Sequence, residues 1–202
     1  MHLIKNNQSK RKNISKKKIF FIIFFFTLIL FIFFLIKKPK NNIKNLNQTE
    51  YYEIVQEINA KKNLDYKNVE NFIIDNKNIY GTLVSLLLSK QYILKNELEK
   101  AFVQLDNSLK YTEEENLKNI LRLRMSKIKI EQKKYKDAIE IIEKIKDNSW
   151  VNIVEDVKGD IFMKNKNIKL AIKAWEESNY FEKSKTSKEI TNMKINEAKQ
   201  IN

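Results

Sequence analysis

The run Ser89-Lys90-Gln91-Tyr92-Ile93-Leu94-Lys95-Asn96-Glu97-Leu98-Glu99-Lys100-Ala101-Phe102-Val103-Gln104-Leu105 decides the fold, because its pattern returns twice further along the chain. The small residue that opens it recurs 37 and then 33 positions on, as Ser126 and Gly159. The same two intervals carry Ala101 to Ala138 and Ala171. In each copy an apolar residue stands three before the alanine (Leu98, Tyr135, Ile168) and another directly after it (Phe102, Ile139, Ile172). A large one stands four after it (Leu105, Ile142, Trp175). Such a frame describes two short helices folded back on each other. The small residue on the first helix lets the second approach, and the alanine on the second returns the contact; a bulky side chain at either would push the axes apart.

A period of this length, with these small residues, resembles the tetratricopeptide repeat, whose unit is about 34 residues. Tyr92 and Phe162, three after the small residue, match its aromatic position, whereas Lys129 in the middle copy departs from it and the usual terminal proline is missing. Residues 49–76 read as a further hairpin around Lys61-Lys62-Asn63-Leu64-Asp65, and residues 186–201 as a capping helix. Trp150, Ile153, Val154, Val157 and Ile161 draw one apolar stripe along a helix. Thr112 with Glu115, and Asn96 with Glu99, stand at N-cap and third-position spacing and predict helix starts. Residues 121–124 and 127–130 alternate as a strand would, yet no partner strand follows, and Leu117, Leu121, Met125 and Ile128 form a helical stripe. The fold expected is all-α: a single transmembrane helix followed by an α-solenoid of helical hairpins over residues 49–202.

The transmembrane helix is residues 19–36, eighteen residues without a charge, whose only polar side-chain atom is the hydroxyl of Thr27. In helical form they span roughly 27 Å, near the thickness of a bilayer's hydrocarbon core. Lys16-Lys17-Lys18 and Lys37-Lys38 flank them, and no small-residue cleavage site follows, so the segment reads as an uncleaved anchor. Seven basic residues precede it and four follow, which places the basic tail, residues 1–18, in the cytoplasm and the rest of the chain outside. Residues 37–48, polar and Asn-rich behind Pro39, read as a linker.

The formal charge of +14 looks like a nucleic-acid signal until it is divided. Residues 1–40 hold ten basic residues and no acidic one, leaving a surplus of four for residues 41–202. Lysine outnumbers arginine 36 to 3, the bias of an AT-rich genome rather than of phosphate recognition, so no nucleic-acid partner is expected. The chain has no cysteine, a single histidine in the tail (His2), and two distant glycines. Disulfides, thiolate metal sites, histidine catalysis and phosphate loops are thereby excluded, and neither cofactor nor small-molecule substrate is expected. Carboxylate pairs such as Asp156 with Asp160 read as a solvated helix face. An enzyme is not expected.

The runs Asp75-Asn76-Lys77-Asn78-Ile79-Tyr80-Gly81, Lys95-Asn96-Glu97-Leu98-Glu99-Lys100-Ala101, Glu115-Asn116-Leu117-Lys118, Trp150 with Ile153-Val154, Ala174-Trp175-Glu176 and Met193-Lys194-Ile195-Asn196 are similar to the YfgM family, the ancillary subunit of the bacterial SecYEG translocon. The resemblance implies a single-pass inner-membrane protein with a periplasmic repeat domain. It also implies association with the translocon and with a membrane-anchored periplasmic chaperone of the prolyl-isomerase-like PpiD type.

The residues alone reach a compatible reading, since a solenoid offers a concave surface and the span holds it at the membrane, with lipid as a further partner. The positions expected to face a partner are Lys90 and Ile93, then Lys127 and Ile130, then Asp156, Asp160 and Met163; those expected to pack the repeats are Ser89, Ala101, Ser126, Ala138, Gly159 and Ala171. Two function classes fit: a binding module assisting export within the periplasmic chaperone network, or a membrane-bound stress-response adaptor that sequesters a regulator.

Overall fold

The computed structural model of the chain describes residues 41–60 and 64–201, together with Phe24, Phe25, Thr27 and Leu28. The basic tail and all but those four residues of the apolar run lie outside the described residues. The four are helical, and the Thr27 hydroxyl donates to the carbonyl of Phe24 at 2.8 Å, which satisfies the one polar side chain of the run. Among the described residues no helix is long and apolar enough to cross a membrane.

The chain divides into two compact units, Met1–Asn45 and Leu46–Asn202. In the described part of the second every secondary-structure element is a helix. The helices from residue 41 onward are α1 (Asn41–Ala60), which begins in the first unit and continues into the second, then α2 (Tyr66–Asp75), α3 (Ile79–Leu94), α4 (Leu98–Tyr111), α5 (Glu115–Glu131) and α6 (Tyr135–Ile142), then α7 (Val151–Lys164) behind a 3-10 turn (Asn148–Trp150), α8 (Ile168–Phe181) and α9 (Lys185–Ile201). Helix α1 begins inside the segment expected as a linker, since no glycine or proline interrupts residues 41–60. The alternating stretch of residues 121–130 is helical within α5.

Consecutive helices pair as α3 with α4, α5 with α6 and α7 with α8, and α9 packs on α8. Ala101, Ala138 and Ala171 are fully buried, and the Ser126 hydroxyl donates to the Ala138 carbonyl at 3.0 Å across its hairpin. A Cβ on Gly159 would lie 2.3 Å from the indole of Trp175. The core runs in three clusters along the array, around Leu88, Leu105 and Leu121, then Ile142 and Val157, then Trp175 and Ile195. Lys129, which departs from the repeat's aromatic position, is buried with its ammonium 3.8 Å from the ring of Phe102, so a cation over a neighbouring ring takes the place of the ring that is missing.

The hairpin turns repeat to the residue. Among the described residues, Asn96, Lys133 and Lys166 are the non-glycine residues with positive φ, at 59°, 60° and 61°, and the intervals between them are again 37 and 33. In each turn the N–H of the following residue reaches the carbonyl five positions back: Glu97 to Tyr92 at 2.8 Å, Lys134 to Lys129 at 2.9 Å, Asn167 to Phe162 at 2.8 Å. This is the Schellman closure of a helix C-terminus. Asn96 therefore ends α3 rather than starting α4, which begins behind Glu97. The other expected start fails likewise. Thr112 closes α4, its hydroxyl donating to Ser108 at 2.7 Å and lying 2.9 Å from that of Thr82, while Glu114 caps α5 by accepting from the N–H groups of Asn116 and Leu117.

Candidate partner groove

The C-terminal halves of α3, α5 and α7 follow one another along the array, and α9 stands beside them, so a groove forms that all four helices line. It encloses about 510 Å³. Ile93, Leu98, Ile130, Met163, Trp175 and Ile201 give it an apolar surface. Arg124, Lys127 and Lys164 bring positive charge to it, and Glu131 and Glu197 negative charge. None of these five makes an ion pair among the described residues, so their charges face whatever enters.

Of the expected partner-facing residues, Ile93, Lys127, Ile130, Asp160 and Met163 line this groove together. Lys90 lies one turn back on α3, exposed and outside it. Asp156 faces a smaller depression of about 270 Å³ with Ile153 and Ile190. The two aspartates are not a solvated pair. The ammonium of Lys194, on α9, donates to both carboxylate oxygens of Asp156 at 2.8 and 3.0 Å and to Asp160 at 2.8 Å. The indole N–H of Trp175 is shared between the Asp156 carbonyl and the Asp160 carboxylate, at 3.2 Å each. Burial works against the charged form of Lys194, but the two carboxylates outweigh it and hold its pKa above the ordinary lysine value. This cluster pins α9 across α7 and so sets one wall of the groove.

Lys194, Trp175, Glu197 and Ile201 are groove residues that the sequence reading did not assign. Lys194 stands 38 and 34 positions from its partners, on a helix read only as a cap. At the other end of the array the Tyr92 hydroxyl donates to Glu70 at 2.6 Å and Gln104 donates to the same oxygen, which ties α3 and α4 to α2. Burial first, then that carboxylate, push the Tyr92 phenol well above the ordinary tyrosine range.

Among the described residues no cluster of three or more histidine or carboxylate side chains could hold a metal ion. The groove's lining combines apolar side chains with exposed charges of both signs.

Comparison with known proteins gives the chain its relatives. A family described as tetratricopeptide repeat-like domain matches residues 20–200. The chain is 64% identical, over 80% of its length and 84% of the relative's, to the ancillary SecYEG translocon subunit of Buchnera aphidicola subsp. Schizaphis graminum. It is 49% identical, over 80% of its length and 83% of the relative's, to the protein of that name from Buchnera aphidicola subsp. Acyrthosiphon pisum. With the Escherichia coli K12 protein of that name it shares 37% identity over 63% of its own length and 62% of the relative's. No solved structure matches.

Proposed function

Since the chain belongs to the family of ancillary SecYEG translocon subunits and carries a tetratricopeptide repeat-like domain, we propose that it is a single-pass inner-membrane protein whose repeat domain recruits polypeptide partners beside the translocon. Residues 19–36 span the membrane, the basic tail stays in the cytoplasm, and the repeat domain stands in the periplasm. The family match begins at residue 20, within the apolar run, which supports treating anchor and repeats as one working unit. Partners are the translocon itself and a membrane-anchored chaperone of the PpiD type, with the periplasmic chaperone network downstream.

The observation that carries this reading is the groove. It offers apolar side chains from successive repeats next to uncompensated charges of both signs, the surface that an amphipathic helix or extended segment needs. Lys127, Ile130 and Met163 are the residues that touch the partner, and Asp160 and Lys194 hold the wall it rests on. Tethering makes weak contacts sufficient, because confinement at the bilayer raises the effective concentration towards the millimolar range.

A photo-crosslinking residue in place of Ile130 tests the site in native membranes. Adducts with the translocon or its chaperone from that position, and none from the same residue at Asn107 on the outer side of α4, are expected. Adducts of equal yield from both positions would remove the groove from the account.

A further inference from the structure

Charge in the repeat domain is unevenly placed. The windows 90–101, 127–138 and 160–171 correspond position for position, and each runs through a hairpin turn. Together they carry eleven lysines and five acidic residues, a surplus of six, whereas residues 41–202 as a whole have a surplus of only four. The domain outside these windows is therefore net acidic. Compositional bias towards lysine would raise the count everywhere and does not account for this sorting.

The three turns lie side by side on one edge. Gln132, at the second turn, donates to Glu99, beside the first, at 3.0 Å, and Ile93, Ile130 and Met163, each just ahead of a turn, line one groove. Three of the five acids are already in ion pairs, Glu97 with Lys100, Asp137 with Lys129, and Asp160 with Lys194, and a fourth, Glu99, accepts the Gln132 hydrogen bond. Lys133, Lys134, Lys164 and Lys166 stand exposed at the turns and make no ion pair among the described residues. Three aliphatic side chains are exposed in these windows, Leu94 at 66%, Leu170 at 41% and, at the groove, Ile93 at 38%. Lysines interspersed with a few exposed aliphatic tips suit the headgroup layer of an acidic membrane, where the ammonium groups meet phosphates and the tips reach the acyl boundary.

We propose that this edge of the repeat domain rests on acidic phospholipid headgroups of the membrane in which the chain is anchored, and so orients the groove along the bilayer surface. The inference rests on the anchor proposed above. Surface attraction of this kind is worth about a fivefold gain in partitioning for each lysine that reaches the layer, and a tethered domain needs few of them.

The chain has no cysteine, so one introduced thiol reports one place. The full chain is put into nanodiscs with a fluorophore at Asn165→Cys, in the third lysine turn, or at Asn148→Cys, on the opposite edge, and quenching by a nitroxide-headgroup lipid is read. Discs containing phosphatidylglycerol are expected to quench the first label and spare the second, with the effect lost at high salt and in pure phosphatidylcholine. Combining Lys133→Glu, Lys134→Glu and Lys166→Glu, with helical circular dichroism unchanged, is expected to lower quenching at position 165 by an order of magnitude. Equal quenching of both labels, indifference to lipid charge, or quenching of the first only when the translocon is added would each overturn the proposal. The last outcome would make the edge a polypeptide contact instead. Entry of the chain into the discs reports the anchor separately, so a chain that inserts without edge contact fails this inference alone.

Discussion

Gly159→Ala sets two physical effects against each other with opposite signs. Helix propensity favours alanine by about 1 kcal/mol in a helix interior, and Gly159 sits well inside α7. Packing disfavours it. The added Cβ would stand 2.3 Å from two atoms of the Trp175 indole, whose side chain is buried at 3% exposure and held through its N–H by Asp156 and Asp160. A rigid bicyclic ring so held cannot swing aside as a flexible chain would; the ring or the helix must shift. Overpacking of this kind costs about 1–3 kcal/mol, and disturbing the shared indole hydrogen bond adds about 1 kcal/mol. The net expectation is a loss of about 2 kcal/mol, which for a domain of this size lowers the melting temperature by about 4–8 °C. Thermal unfolding of the chain from Asn41 onward, followed by circular dichroism and tryptophan fluorescence, is the assay. Gly159→Ala combined with Trp175→Leu should be less unstable than the two single losses added together, since the obstructing ring has gone. A Gly159→Ala variant that melts at or above the parent's temperature would refute the close helix approach on which the repeat frame depends.

Lys133→Gly and Lys166→Gly should each stabilise the domain by about 1 kcal/mol, because both residues hold a positive φ that glycine adopts freely; Asn96→Gly should gain less, as asparagine already tolerates that region. Urea midpoints of the three variants check this ordering. Lys194→Met should cost about 1–2 kcal/mol by leaving Asp156 and Asp160 uncompensated, and amide exchange should quicken throughout α9 while that of α3 stays unchanged. The pKa of Glu182 is held below the ordinary glutamate value, first by the backbone N–H of Ser184 and then by the Asn152 amide, so its share of stability is present above that ordinary value and is lost as the pH falls through the depressed one. An NMR titration of its carboxyl should show the low midpoint, and Asn152→Ala should raise it.

The helices and their pairing were legible because close packing restricts residue type: nothing but a small side chain fits where two helices cross, so Ala101, Ala138 and Ala171 mark the frame from sequence alone. Helix ends were less so. Asparagine suits both an N-cap and the left-handed residue that closes a helix, and Asn96 with Glu99 matches the first pattern while performing the second. Thr112 misled in the same way, its hydroxyl serving a buried pair with Thr82 thirty residues back. Groove composition was partly hidden for another reason. Lys194 meets Asp156 and Asp160 only through tertiary packing, and no local spacing relates them. Net charge concealed its own arrangement, since a near-balanced total averaged a basic edge against an acidic remainder.

The central claim is recruitment at the membrane by anchor and groove together, and one measurement tests it most directly. The full chain and a version beginning at Asn41, exported as a soluble protein, are compared for copurification with the translocon from native membranes. The account predicts that the soluble version folds, retains its melting temperature, and loses most of its association. Copurification of the untethered domain at the level of the full chain would contradict it.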